Sequence, residues 1–434
     1  MSGEAAETGA VRGLRCSPRT AFVLLVLLHF TVDFYGGLTT PILEPTLTEH
    51  FRRDIGAVAT LIGAWSLLIN IVQPLVGGLM SRRGLPIILV AAAPLAALTA
   101  LIGLTPTLPG AAALLFCSAI GIGVLHPEAA LAVHGLSARR AGAAVGFFMA
   151  AGYFGFSIGA LVGGAWAEAW RLRGFWLLAL PSLLLAFGAA RAGLHRMEGH
   201  VEENGAGVET ERGLPALMAL GFGTATIMCL LARFIAVLLV RRFPDSAGQG
   251  WGGATVFATG ITGALGAFGW GALADRRGPM RVLSGLQLAA LPFLGLLLWT
   301  PRIAWTPLWG LGLGATIGSA FPLVVVRARR TRGFSPRLRM GLTIGGAWGM
   351  GEIAFIGAGR YLKGFAEGDP RPVERVLALC GALLLFNAAL AWRLGRRPPE
   401  NGKAPGESSP RRTPENMADR EHSPYDRPRE PTAR

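Results

Sequence analysis

Runs of about 20 apolar residues recur along almost the whole 434-residue chain, and each is long enough for a helix to cross a hydrocarbon layer roughly 30 Å thick. We count twelve such runs. With 52% hydrophobic and only 15% charged residues, the chain is too apolar for an ordinary soluble domain, so it reads as an integral membrane protein. A net charge of +15 would suit nucleic acid, but the arginines cluster in short connections between apolar runs rather than on a basic face. Nucleic acid is therefore not expected as a partner. Lys and Arg predominate on the side that holds both termini, which by the positive-inside rule is the cytoplasmic side. The six arginines between Arg327 and Arg339 are the strongest single anchor and suit anionic lipid.

The expected helices cover 20–42, 55–80, 85–104, 111–133, 141–166, 174–190, 214–240, 251–274, 282–300, 305–326, 340–361 and 373–392. The first run continues past Asp33 to Ile42 without a small-residue cleavage site, so it is a retained helix rather than a signal peptide. Cys117, Cys229 and Cys380 lie inside apolar runs and Cys16 precedes the first, with no metal-ligand spacing. Neither disulfide, metal nor other cofactor is expected. After the second run stands Gly77-Gly78-Leu79-Met80-Ser81-Arg82-Arg83-Gly84, and 194 residues on (77 to 271) Gly271-Ala272-Leu273-Ala274-Asp275-Arg276-Arg277-Gly278 repeats its shape. An internal repeat in that position divides the chain into two six-helix halves. The expected organisation is a cytoplasmic arm at 1–19, a first half at 20–191, a cytoplasmic linker at 192–213, a second half at 214–394 and a disordered cytoplasmic tail at 395–434.

Ionisable residues inside apolar helices are costly, about 2.5–3.5 kcal/mol for an acidic residue at a helix centre, and so mark functional cavities. His29 and Asp33 are four apart on one face of helix 1, where imidazole and carboxylate can share a proton. Helix 4 carries His126-Pro127-Glu128, in which Pro127 removes a backbone donor and predicts a bent, hydrated helix. One of its two ionisable side chains is expected to face a cavity and the other a neighbouring helix. Proton coupling is assigned to Glu128 and Asp33, tuned by His126 and His29, with Glu128 favoured; alternating exposure of such a carboxylate loads and unloads a proton. Asn70 and Gln73 share a face of helix 2, where amides serve as interhelical glue or substrate ligands. Arg233 in helix 7 is expected to neutralise Asp33, with snorkelling toward the interface as its bland alternative. Together with Tyr153 and Glu352, these three residues make up the expected substrate cavity. On helix 5, Gly146, Gly155, Gly159, Gly163 and Gly164 form a packing seam of small residues.

At the paired Gly-rich connections the chain resembles the major facilitator superfamily. That resemblance implies the superfamily's fold and a gating loop formed by Asp275, Arg276 and Gly278, with Arg82 and Gly84 in the first copy, where Ser81 replaces the usual acid. Helix 5 resembles the superfamily's antiporter motif, with Ala160 where a proline is usual. A closer likeness is to the fosmidomycin-resistance branch, carried by His29 with Asp33, by Gln73-Pro74-Leu75-Val76-Gly77 and by His126-Pro127-Glu128. Tyr153 stands where that branch tends to have asparagine.

Residues and resemblance together predict a proton-coupled secondary transporter of the cytoplasmic membrane. It would export a small drug-like or metabolite molecule by antiport, acting as a monomer with substrate, protons and the bilayer as its partners. Import by symport and a transporter-like sensor are the alternatives. No G-x-x-x-x-G-K-[ST] pattern and no recognisable nucleophile–base spacing is present, so neither an ATP-driven pump nor an enzyme is expected.

Overall fold

The structure, a computed structural model, describes residues 13–79, 85–136, 141–197, 213–328 and 342–396. The N-terminal arm up to residue 12, Arg82 and Gly84, linker residues 198–212, arginine-loop residues 329–341 and the tail from 397 lie outside the described residues. Within them the first half comprises α1 (Pro18–Leu38), α2 (Ile55–Leu79), α3 (Ile88–Leu104), α4 (Leu108–Leu136), α5 (Ala141–Trp170) and α6 (Phe175–Arg191). The second comprises α7 (Leu214–Arg242), α8 (Gly248–Arg277), α9 (Pro279–Leu298), α10 (Ile303–Val325), α11 (a π turn at Leu342–Gly346 leading into Ala347–Leu362) and α12 (Arg371–Arg396). Among the described residues nine helices are long and apolar enough to cross a membrane. The shorter α3 and α6 and the interrupted α11 bring the set to the expected twelve.

Local chemistry sets the ends of these helices. The Ser17 hydroxyl accepts the Thr20 amide at 3.1 Å, and Pro18 fills the first turn of α1, where a missing N–H costs nothing. Gly278 adopts φ +85°, a left-handed backbone that lets α8 stop and Pro279 open α9 at once. α4 continues through Pro127, with neighbouring helices packed on both faces.

Glycines decide how closely the helices approach. A Cβ at Gly155, Gly159 or Gly163 would strike the carbonyls of Phe30, Phe34 and Leu38 in turn, and one at Gly37 would strike that of Phe156. Four-residue spacing therefore seats α5 backbone to backbone on α1, as small residues permit between membrane helices. A neighbouring stripe of α5 faces α8 across the halves: Gly164 meets the Gln249 carbonyl, Gly253 that of Ala160, and Gly260 the Ser157 hydroxyl. Further along the same stripe a Cβ at Gly146 or Gly271 meets nothing within 4 Å. Gly146, expected in the packing seam, therefore meets no close neighbour among the described residues.

Polar contacts join the halves at one end. Between the first two helices the chain folds through short helical turns at Leu43–Leu47 and Thr48–Phe51. Arg241 donates to Glu44 at 2.9 Å and to the Asp369 carbonyl at 3.2 Å. Gln249 donates to the Glu44 carbonyl at 3.2 Å while accepting the Thr46 hydroxyl at 2.9 Å. Cross-half packing of α2 on α11 continues alongside, with a Cβ at Gly359 meeting Ala59 and one at Gly63 meeting Ile356.

Candidate functional site

Close α1–α5 packing brings His29 and Asp33 beneath Gly152, where a Cβ would run into the Asp33 carboxylate and the His29 ring. The glycine makes the room for both side chains. His29 stacks on Phe148 with ring centroids 4.1 Å apart, and its Nδ1 lies 2.7 Å from the Phe148 carbonyl. His126 enters from α4, its Nδ1 2.7 Å from the Ile122 carbonyl one turn earlier. The two Nε2 atoms then bracket one carboxylate, His29 at 3.4 Å from Oδ2 and His126 at 3.3 Å from Oδ1. His29 is buried, whereas the side chains of Asp33 and His126 are 23% and 20% exposed, so one edge of the cluster remains open. Glu128, two residues beyond, is buried and turns to the Leu85 backbone. As the spacing predicts, the motif's two ionisable groups face different neighbours; it is the histidine that joins Asp33. Tyr153 stands on α5, its backbone carbonyl accepting the Ser157 hydroxyl at 2.6 Å.

A second polar cluster straddles the halves. Arg233 pairs with Glu352 at 3.4 Å, not with Asp33 as expected, because α11 rather than α1 presents the acid at its level. Its other contacts reach the first half: Ser66 Oγ at 2.8 Å, and the Thr39 and Thr40 hydroxyls each at 3.5 Å. Phe355 lies beneath the guanidinium, 5.5 Å from ring centroid to Cζ, and Cys229 Sγ is 3.8 Å from Glu352. Both charged side chains are nearly inaccessible, at 5% and 6% exposure. Pairing replaces the snorkelling alternative for Arg233.

Of the other expected residues, Asn70 donates to the Ser66 carbonyl of its own helix at 2.9 Å, and its backbone faces Gly345 of α11. Gln73 is half-buried one turn on. Asp275 and Arg276 are exposed at the end of α8, with Gly278 making the turn. Two groups escaped the sequence reading altogether: Glu44 and Arg241, whose pairing spans 197 residues and has no local signature. No metal-ligand spacing is visible in the chain, yet His29, Asp33 and His126 bring three ligand atoms within 4.8 Å of one another. Helices distant in sequence supply what spacing could not.

Two six-helix halves, with polar clusters on α1, α4, α7 and α11 and polar contacts joining the halves at one end, have the architecture of a membrane transporter. The family model of the Major Facilitator Superfamily matches residues 25–350, and the chain belongs to that superfamily. No curated protein matches it. Among solved structures it is similar to a bacterial homologue of the human lysosomal transporter Spinster, in an inward-facing and occupied conformation. The TM-score is 0.65 with 17% identity, over 88% of this chain and 98% of that one. The same homologue, inward-facing and unoccupied, gives 0.65 and 15% over 87% and 97%. The nucleoside transporter NupG, in a mutant form, gives 0.60 and 15% over 86% and 99%. At such identities the likeness speaks for the fold, and the chain is a transporter rather than an enzyme.

Proposed function

We propose that this chain is a proton-coupled antiporter that exports a small drug-like or metabolite molecule, with Asp33 as the proton-carrying group. The observation that carries the reading is the single carboxylate bracketed by two imidazoles at one partly open edge of the first half. A carboxylate that meets water in one state and protein in another loads and releases a proton as the halves rock. The likeness to the fosmidomycin-resistance branch and to the antiporter motif of α5 supports export. Glu128, buried beside the Leu85 segment, is a second carrier in this scheme.

Arginine placement supports a cytoplasmic-membrane location with both termini inside. In that orientation the ion pair of Arg241 with Glu44 lies on the outer side. The test compares a strain lacking the protein with one expressing it across a panel of drugs and metabolites, fosmidomycin among them. Expression should confer resistance that Asp33→Asn abolishes and that collapses with the proton gradient. Raised sensitivity on expression would mean import, and resistance retained by Asp33→Asn would remove Asp33 from coupling.

A further inference from the structure

With Asp33 ionised and both imidazoles neutral, the His29–Asp33–His126 cluster contains more acceptors than its own protons can serve. A backbone carbonyl only accepts, so the Nδ1 atoms facing the Phe148 and Ile122 carbonyls at 2.7 Å each must carry the ring proton. In the neutral imidazoles both Nε2 lone pairs then point at the oxygens of one carboxylate, at 3.3 and 3.4 Å. Three electron-rich groups converge on one spot, and something positive belongs among them. Anchoring the remote ring N–H on a backbone carbonyl is also how proteins orient metal-ligating histidines.

We propose that His29, Asp33 and His126 bind a divalent first-row transition-metal ion through the two Nε2 atoms and the Asp33 carboxylate, with its remaining positions open to water or substrate. Ligand atoms around tetrahedral zinc, with metal–ligand distances of about 2.0–2.1 Å, stand about 3.4 Å apart. Both nitrogen–oxygen separations already have that length, and all three ligand atoms lie within 4.8 Å. The wider gap closes by rotation of the partly exposed His126. Two imidazoles with one carboxylate favour Zn²⁺, Co²⁺ or Ni²⁺ over the hard cations Mg²⁺ and Ca²⁺. Gly152 keeps the space clear, since any side chain there would displace Asp33. Access comes from the open edge at Asp33 and His126.

Metal and proton would compete for the same Asp33 carboxylate, and the metal site is tested by binding alone. Untagged, metal-stripped, full-length protein in detergent is titrated with Zn²⁺ against a chromophoric chelator and, separately, with Co²⁺ by visible absorption. Expected are one Zn²⁺ per chain, no displacement by equimolar Mg²⁺, and Co²⁺ bands of a four- or five-coordinate site. His126→Ala and Asp33→Ala should each weaken Zn²⁺ binding by more than about 100-fold, because loss of even an outer-shell partner costs about 10–100-fold. His50→Ala, in a residue bonded to the Thr105 carbonyl away from the cluster, should leave binding unchanged. If Asp33→Ala does not fold, the milder His126→Ala decides. A wild-type chain with no saturable Zn²⁺ uptake, or ligand variants that hold Zn²⁺ as tightly, would overturn the proposal. Drug resistance without Zn²⁺ uptake leaves the antiporter reading intact and removes this one, while Zn²⁺ uptake without resistance does the reverse.

Discussion

The two polar clusters solve the problem of charge in an apolar protein in opposite ways. His29, Asp33 and His126 belong to one half and keep an open edge, whereas Arg233 and Glu352 are sealed and hydrogen-bonded across to Ser66, Thr39 and Thr40 of the other half. A group that exchanges a small cation needs access and neighbours that move with it, which the first cluster has. A sealed pair whose bonds bridge the halves must break some of them when the halves rock.

The largest expected effect separates the clusters by desolvation. Arg233→Ala leaves Glu352 buried without its cation and should cost about 3–5 kcal/mol in chemical unfolding of the detergent-solubilised protein. Replacing both partners, Arg233→Met with Glu352→Gln, should restore most of that loss. A double variant as unstable as the single one would mean that Glu352 is not the partner that matters.

Next is a contrast within α5, the helix that holds the first cluster in place. Gly159→Ala drives a Cβ into the Phe34 carbonyl and should destabilise by about 1–3 kcal/mol. Gly146→Ala, with nothing within 4 Å, should instead stabilise by about 0.4–1 kcal/mol through reduced freedom of the unfolded chain. Equal and unfavourable shifts in melting temperature would show that α5 and α8 also close at Gly146.

Asp33→Asn should change stability by no more than about 1 kcal/mol, because its side chain is 23% exposed and water can serve either the carboxylate or the amide. A loss approaching that of Arg233→Ala would erase the distinction between an open and a sealed site.

The smallest effect belongs to Asp54 and Lys363, 3.4 Å apart and largely exposed at the shut end. Burial acts to raise the Asp54 carboxyl, but hydrogen bonds from the Ala57 and Gly56 amides and the Lys363 ammonium outweigh it and hold it below its ordinary value. A lowered carboxyl stabilises above its unfolded pKa of about 3.9 and loses that contribution as pH falls through the folded value. Lys363→Ala should therefore cost under about 1 kcal/mol at neutral pH, and the deficit should shrink below about pH 4. A deficit that grows in acid would reverse the assignment.

Much of this architecture is legible in the chain because its cause is local. Among the described residues the twelve apolar runs become twelve helices, since no other open structure satisfies a backbone away from water, and the repeat at Gly77 and Gly271 marks the halves. His29 and Asp33 meet because 3.6 residues per turn place positions four apart on one face, and glycines at 155, 159 and 163 line one seam for the same reason. Tertiary structure alone decided that His126 rather than Glu128 joins Asp33, that Arg233 takes Glu352, and that Glu44 closes on Arg241. Each of those choices depends on how a helix is rotated about its axis and how deep it sits against its neighbours. A helix apolar on every side carries no stripe that fixes its rotation, so these partners emerge only when all the helices are packed together.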